Sequence, residues 1–142
     1  MQIFLISENP IDIARCLDKK RLNKQVLECD WILNGWVTGN HTTSHPIAKM
    51  YKDHLDWIEL YKQCLKSYRE GNENEAIKFS KEANKCTPEF LKDQNWYFDN
   101  FKRRLYTKDK IYYKSFESLG ESFVNYYLVN GKWIEYKNRT KK

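Results

Sequence analysis

The stretch that most constrains this chain is Leu17–Glu28, LDKKRLNKQVLE. At about 100° per residue on a helix, Leu22, Val26, Cys29 and Leu33 share one stripe, while Leu27 and Trp31 form a second. Between the two runs a polar stripe of Arg21, Lys24, Gln25 and Glu28, joined by three- and four-residue spacings. Lys19, Asn23 and Asp30 point the remaining way, toward solvent. A surface helix needs one apolar stripe and one polar face. A charged strip bounded by apolar stripes on both sides instead predicts a helix whose strip lines a cleft. The spacing places that helix over 18–34, with Gly35 as its stop. The competing reading is an exposed Lys24–Glu28 pair on a solvated face, although with Lys first this is the weaker i,i+4 orientation.

The chain start bears on the same cleft. Met1–Ile6 is short and apolar and runs directly into Ser7-Glu8-Asn9-Pro10, so the α-amine of Met1 is expected to lie against the fold. Residues 2–6 read as a strand or an extended arm. Asn9 and Pro10 supply a cap and a first helical residue for a helix through Leu17. A polar loop over 39–44 follows. His45-Pro46 then opens what reads as the longest helix, ending at Gly71, with Ala48, Tyr51, Leu55, Ile58 and Leu65 on one face. His54 falls within it as a structural residue. Asn72 or Asn74 caps a further helix to about Lys85, with Ala76, Ile77, Ser80 and Ala83 inward. Thr87–Leu91 gives a short turn, 94–106 a helix whose aromatic content makes a strand the competitor, and Asn130-Gly131 a turn. The 142 residues therefore predict a mainly α fold, a single compact helical domain over 1–142 with long irregular loops.

Charge and aromatic content narrow the partner. Lys and Arg number 25 against 19 Asp and Glu, a formal net charge of +6, and aromatics make up 15% of the chain. Phosphate neutralisation and base stacking need those two residue types. They interleave most densely where Lys102, Arg103, Arg104, Lys108 and Lys110 alternate with Phe101, Tyr106, Tyr112 and Tyr113. The basic tail, Lys132, Lys137, Arg139, Lys141 and Lys142, reads as solvated, its last three residues frayed. Cys16, Cys29, Cys64 and Cys86 are scattered without a Cys-x-x-Cys or paired-histidine spacing, so neither a metal nor another cofactor is expected. There is no long apolar run and no signal peptide, which points to reduced thiols, a cytoplasmic location and no membrane partner. His45 starts a helix, where the positive end of the dipole favours a neutral ring able to bond a sugar or phosphate oxygen.

Five segments, in order, resemble the pyrimidine-dimer DNA glycosylase family. They are Met1–Leu5 (MQIFL), Leu17–Gln25 (LDKKRLNKQ), His45–Tyr51 (HPIAKMY), Thr87–Phe90 (TPEF), and Phe101–Leu105 (FKRRL) with Lys108-Asp109 and Tyr112-Tyr113. The resemblance implies a small helical enzyme that binds duplex DNA. In such enzymes the N-terminal α-amine attacks the sugar C1′, forms an imine and cleaves the strand by β-elimination. A glutamate on the helix corresponding to 18–34 assists, and arginines hold phosphates. Two departures stand out. Gln2 is too large for efficient removal of the initiator methionine, so the amine is that of Met1. The glutamate position carries Arg21, and Glu28 is the nearest acid on the same polar stripe.

The reading is a DNA glycosylase and AP lyase acting on a damaged or modified pyrimidine. Its catalytic candidates are Met1, Arg21 and Glu28; its candidates for contact with double-stranded DNA are Lys20, Lys24, Gln25, His45, Arg103, Arg104 and Lys108. An α-amine has an ordinary pKa near 8, so it is substantially neutral at neutral pH, and the cations Lys20, Arg21 and Lys24 depress it further. The alternatives are a non-catalytic DNA-binding member of the same fold, and a protein whose basic face meets an acidic protein partner.

Overall fold

The computed structural model describes residues 3–136. Ile3, Phe4, Leu5 and Ile6 form an arm that pairs with no strand among the described residues and is buried among the helices. Helix α1, Pro10–Cys16, starts where Asn9-Pro10 predicts, yet Asn9 makes no side-chain cap. The cap is supplied from elsewhere in the chain. Ile11 N donates to Ser80 Oγ (3.0 Å), which in turn donates to Asn9 Oδ1 (2.7 Å), tying α1 to α5, Glu73–Asn84.

Helix α2, Lys19–Thr38, is four residues longer than its sequence stop at Gly35. It ends instead at Gly39, whose φ of +68° is the left-handed cap geometry that glycine adopts without a Cβ clash. Gly35 is a glycine for a different reason. A Cβ there would lie 3.1 Å from Thr42 Cβ, so its absence lets the 3-10 turn His41–Ser44 pack on α2. The stripe Leu22, Val26 and Cys29 is buried as the periodicity requires, joined by Ile32. Leu27 and Trp31, the predicted second apolar stripe, remain 45% and 41% exposed.

The long helix expected from His45 to Gly71 is two helices, α3, Pro46–Met50, and α4, Leu55–Arg69. The turn over 51–54 has a packing consequence that a continuous helix forbids. Tyr51 and Trp57 would sit about 120° apart around one helix axis, but here their rings stack at 5.9 Å, and Trp57 stacks on Tyr61 at 5.0 Å. Buried ring pairs of this kind each contribute about 0.5–1.5 kcal/mol beyond their area. All three rings are essentially inaccessible. His54 stands at the break, its ring against Phe90.

Asn72 caps α5 by accepting from Glu75 N, and α5 packs along α4 with Ala76, Ser80 and Ala83 buried and Ile77 half-buried. After a 3-10 turn, Glu89–Leu91, comes α6, Asn95–Lys108, with Tyr97, Phe98, Phe101 and Leu105 buried. Helix therefore wins over strand in this aromatic segment. A further 3-10 turn, Lys114–Leu119, leads to an antiparallel hairpin of β1, Asn125–Val129, and β2, Lys132–Tyr136. Asn130 and Gly131 both have positive φ, the geometry of a two-residue hairpin turn. The hairpin is small, and the fold is mainly α, as the sequence predicts. One hydrophobic cluster joins the arm, all six helices and Tyr127 of β1. No helix among the described residues is long and apolar enough to cross a membrane.

Candidate active site

The polar stripe of α2 does line a cleft, of about 340 Å³. Lys20, Arg21, Lys24 and Glu28 of α2 form one wall, Arg104 and Lys108 of α6 the other, and Phe4 of the arm lies between them. The i,i+4 spacing of Arg104 and Lys108 puts both on one side of α6.

Gln25 sets the geometry of the first wall from behind. It is inaccessible to solvent, so it holds the site together and offers no surface for DNA, contrary to its expected role as a contact. Its Oε1 accepts from Phe4 N (2.9 Å) and from Tyr61 Oη (3.0 Å), and its Nε2 donates to Glu28 Oε2 (3.0 Å). The two donors on Oε1 dictate which end of the amide faces Glu28. Burial pushes the Tyr61 hydroxyl well above the usual phenol range, which keeps its proton available to Gln25. Glu28 itself is 3% exposed. It is a buried acid at the floor of a basic cleft, and not the outer partner of Lys24.

The cations are unequally engaged. Arg21 Nη1 pairs with Asp18 at 3.3 Å, and Asp18 is held by Tyr113, whose hydroxyl donates to its Oδ1 and accepts from its backbone N (2.9 Å). The Arg104 guanidinium lies 5.5 Å from the Phe4 ring and 5.4 Å from that of Phe123, close enough for cation–π attraction, while its Nη1 donates to Asn125 Oδ1. Its Nε is buried without a hydrogen-bond partner among the described residues. Burial holds the Arg104 pKa below the usual arginine range. Lys108 is likewise held below the usual lysine range, first by desolvation and then by the charges of Arg104, Arg21, Lys24 and Lys20. Four neighbouring cations acting on one lysine define a strongly positive cleft, the electrostatics that a polyanion satisfies.

Other candidates lie elsewhere. Arg103 turns away from the cleft and its Nε donates to Ser122 O (2.8 Å), clamping the segment before β1. Successive residues on a helix diverge by about 100°, so Arg103 and Arg104 serve different sides of α6. Lys110 pairs with Glu121. His45 caps α3, its Nδ1 accepting from Ile47 N (3.1 Å), and borders a separate cavity with Trp31 and His41. Burial lowers its pKa, which agrees with the neutral ring that the cap requires. Met1 lies outside the described residues, as do Lys137, Arg139, Lys141 and Lys142. Among the described residues no cluster of His, Cys, Asp and Glu could hold a metal ion. The sequence missed Phe4, Tyr61, Asp18 and Tyr113. Phe4, Asp18 and Tyr113 lie in segments that carry the family resemblance, whereas Tyr61 carried no signal.

The resemblance to pyrimidine dimer DNA glycosylases holds: residues 1–69 match that family's model. The match runs to Arg69, the last residue of α4, and so takes in the arm, α1, α2 and the wall of the cleft that carries Glu28. The second wall, Arg104 and Lys108, comes from beyond the glycosylase match. Comparisons with curated proteins and with solved structures give no match.

Proposed function

We propose that this protein binds duplex DNA in the cleft between α2 and α6 and excises a damaged pyrimidine through an imine on its N-terminal α-amine, with strand cleavage by β-elimination. The observation that carries the reading is a buried carboxylate, Glu28, on the floor of a cleft walled by Lys20, Arg21, Lys24, Arg104 and Lys108. The cations suit the phosphates flanking a target sugar. The carboxylate suits the proton transfers that imine formation and β-elimination require. Phe4 lines the cleft and its N–H is bonded to the Gln25 amide that also holds Glu28. Three residues of chain give the Met1 amine a covalent reach of about 10 Å from that point.

In the proposed sequence the neutral amine adds to C1′ and the base leaves with the glycosidic electron pair and a proton from the amine; the C1′–O4′ bond then opens, O4′ takes a proton, and the nitrogen lone pair forms the C1′ iminium. The resulting iminium loses a C2′ proton to a base, for which Glu28 is the candidate, and the 3′ phosphate departs. Water then releases the sugar and regenerates the amine. The surrounding cations favour the neutral, nucleophilic form of the amine.

Borohydride trapping tests the reading. Duplex DNA carrying a pyrimidine dimer or an abasic site should yield a covalent complex that maps to the N-terminal peptide. Acetylating the N terminus, or placing one residue before Met1, should eliminate it, since near-attack geometry tolerates little of the added ~3.5 Å. An adduct on Lys20 or Lys24 would move the nucleophile to that lysine, and no adduct with full DNA affinity would leave a non-catalytic DNA-binding member of the fold.

A further inference from the structure

The chain between α6 and the 3-10 turn at Lys114 presents apolar surface where the end of α6 is tied to the start of α2. Ile111 is 91% exposed, the most exposed of the large apolar side chains among the described residues, and Tyr112 beside it is 54% exposed. The turn that carries them is fixed. Asp109 accepts from Tyr112 N through Oδ1 (3.0 Å) and from Tyr113 N through its carbonyl (3.0 Å), and the Tyr112 and Tyr113 rings meet edge to face at 4.8 Å. Tyr113 is buried and bonded to Asp18, which pairs with Arg21. The turn is thus anchored to both walls of the cleft: three residues after Lys108 on one side, and through Tyr113 to the start of α2 on the other.

Single exposed apolar side chains are common and need no partner. This pair differs in its setting. It stands on a hydrogen-bonded turn that begins directly after Lys108 and is bonded through Tyr113 to Asp18, the ion-pair partner of Arg21, and Lys108 and Arg21 both line the cleft. A polyanion with an apolar interior of stacked rings meets both kinds of surface at once. Proteins that bend duplex DNA insert such side chains between base steps while cations hold the backbone.

We infer that Ile111, supported by Tyr112, is a wedge that enters the base stack beside the target nucleotide when duplex DNA occupies the cleft. This rests on the proposed binding of DNA there, and it adds the residue that opens the stack. Ile111 touches bases and not the reacting atoms, so it is a positioning residue.

The test uses the full chain and a duplex carrying a tetrahydrofuran abasic analogue with 2-aminopurine next to it, whose fluorescence rises on unstacking. Wild-type protein should raise the fluorescence severalfold. Ile111→Ala should lose most of that rise and most turnover on cleavable abasic DNA, while its salt slope of binding stays within about one of wild type. Ile111→Phe should restore both. An exposed side chain contributes little to folding, so thermal unfolding should not move. The inference is overturned if Ile111→Ala unstacks and cleaves like wild type, or if the variant alters only the sedimentation of DNA-free protein, which would give Ile111 to a second copy of the chain. Wild-type protein that fails to bind the duplex at all would instead overturn the DNA reading, and this inference with it.

Discussion

Glu28 and Gln25 are neighbours on one stripe of α2, yet burial gives them different tasks. Gln25 serves the fold, linking Phe4, Tyr61 and Glu28. Glu28 is the acid so positioned, at the cleft floor. Glu28→Gln keeps the shape and removes the acid–base group, so kcat on abasic duplex should fall by about 10²–10⁴-fold while the Kd for uncleavable duplex changes little. Unchanged kcat would reduce Glu28 to a structural role. The sequence revealed the polar stripe but not its division of labour. Periodicity gives the angle of a residue around its helix, and the arm and Tyr61 decide which of the stripe is sealed.

At the scale of elements, the start of α3 depends on one imidazole. The His45 Nδ1 accepts from Ile47 N, which requires an unprotonated nitrogen, and burial holds its pKa below the ordinary 6.5. The unfolded chain therefore takes up a proton at higher pH than the folded one. The contribution is fully present above the unfolded pKa of about 6.5, is lost as pH falls from there toward the folded pKa, and changes no further below it. Urea midpoints measured from pH 7.5 to 5.5 should decline in wild type and decline less in His45→Asn, whose side-chain oxygen can still cap. Equal slopes would place the pH dependence elsewhere. The break between α3 and α4 was hidden from the sequence because both helices keep compatible apolar spacing; the stacking of Tyr51 on Trp57 and the packing of Phe90 on Tyr51 settle it.

For the whole molecule, some basic residues meet in the cleft, while others, such as Arg103 and Lys110, are engaged by the protein itself. If Lys20, Lys24, Arg104 and Lys108 each neutralise a phosphate, log Kd for duplex DNA should vary with log salt by about 3–4. Arg104→Ala with Lys108→Ala should reduce that slope by about two, whereas Arg103→Ala should leave it unchanged, since Arg103 is bonded to Ser122. A slope that responds to Arg103 and not to the Arg104–Lys108 pair would put the DNA surface on the other side of α6.

The sequence by itself determined the mainly helical class, the starts of α1 and α5, the turn at Asn130-Gly131 and the charged stripe of α2, because caps, glycines and periodicity act within a few residues of chain. It also carried the resemblance to pyrimidine dimer DNA glycosylases, whose family model matches residues 1–69. Tertiary structure decided what those motifs face. Arg104 reaches the cleft because α6 lays Phe101 and Leu105 in the core, which leaves the adjacent Arg103 on another side. Ser80 caps α1 from 69 residues away, and Gln25 orients Glu28 while its Oε1 is held by Phe4 N of the arm and by Tyr61. Each of these rests on a contact between distant segments, whose strength depends on burial that no local pattern encodes.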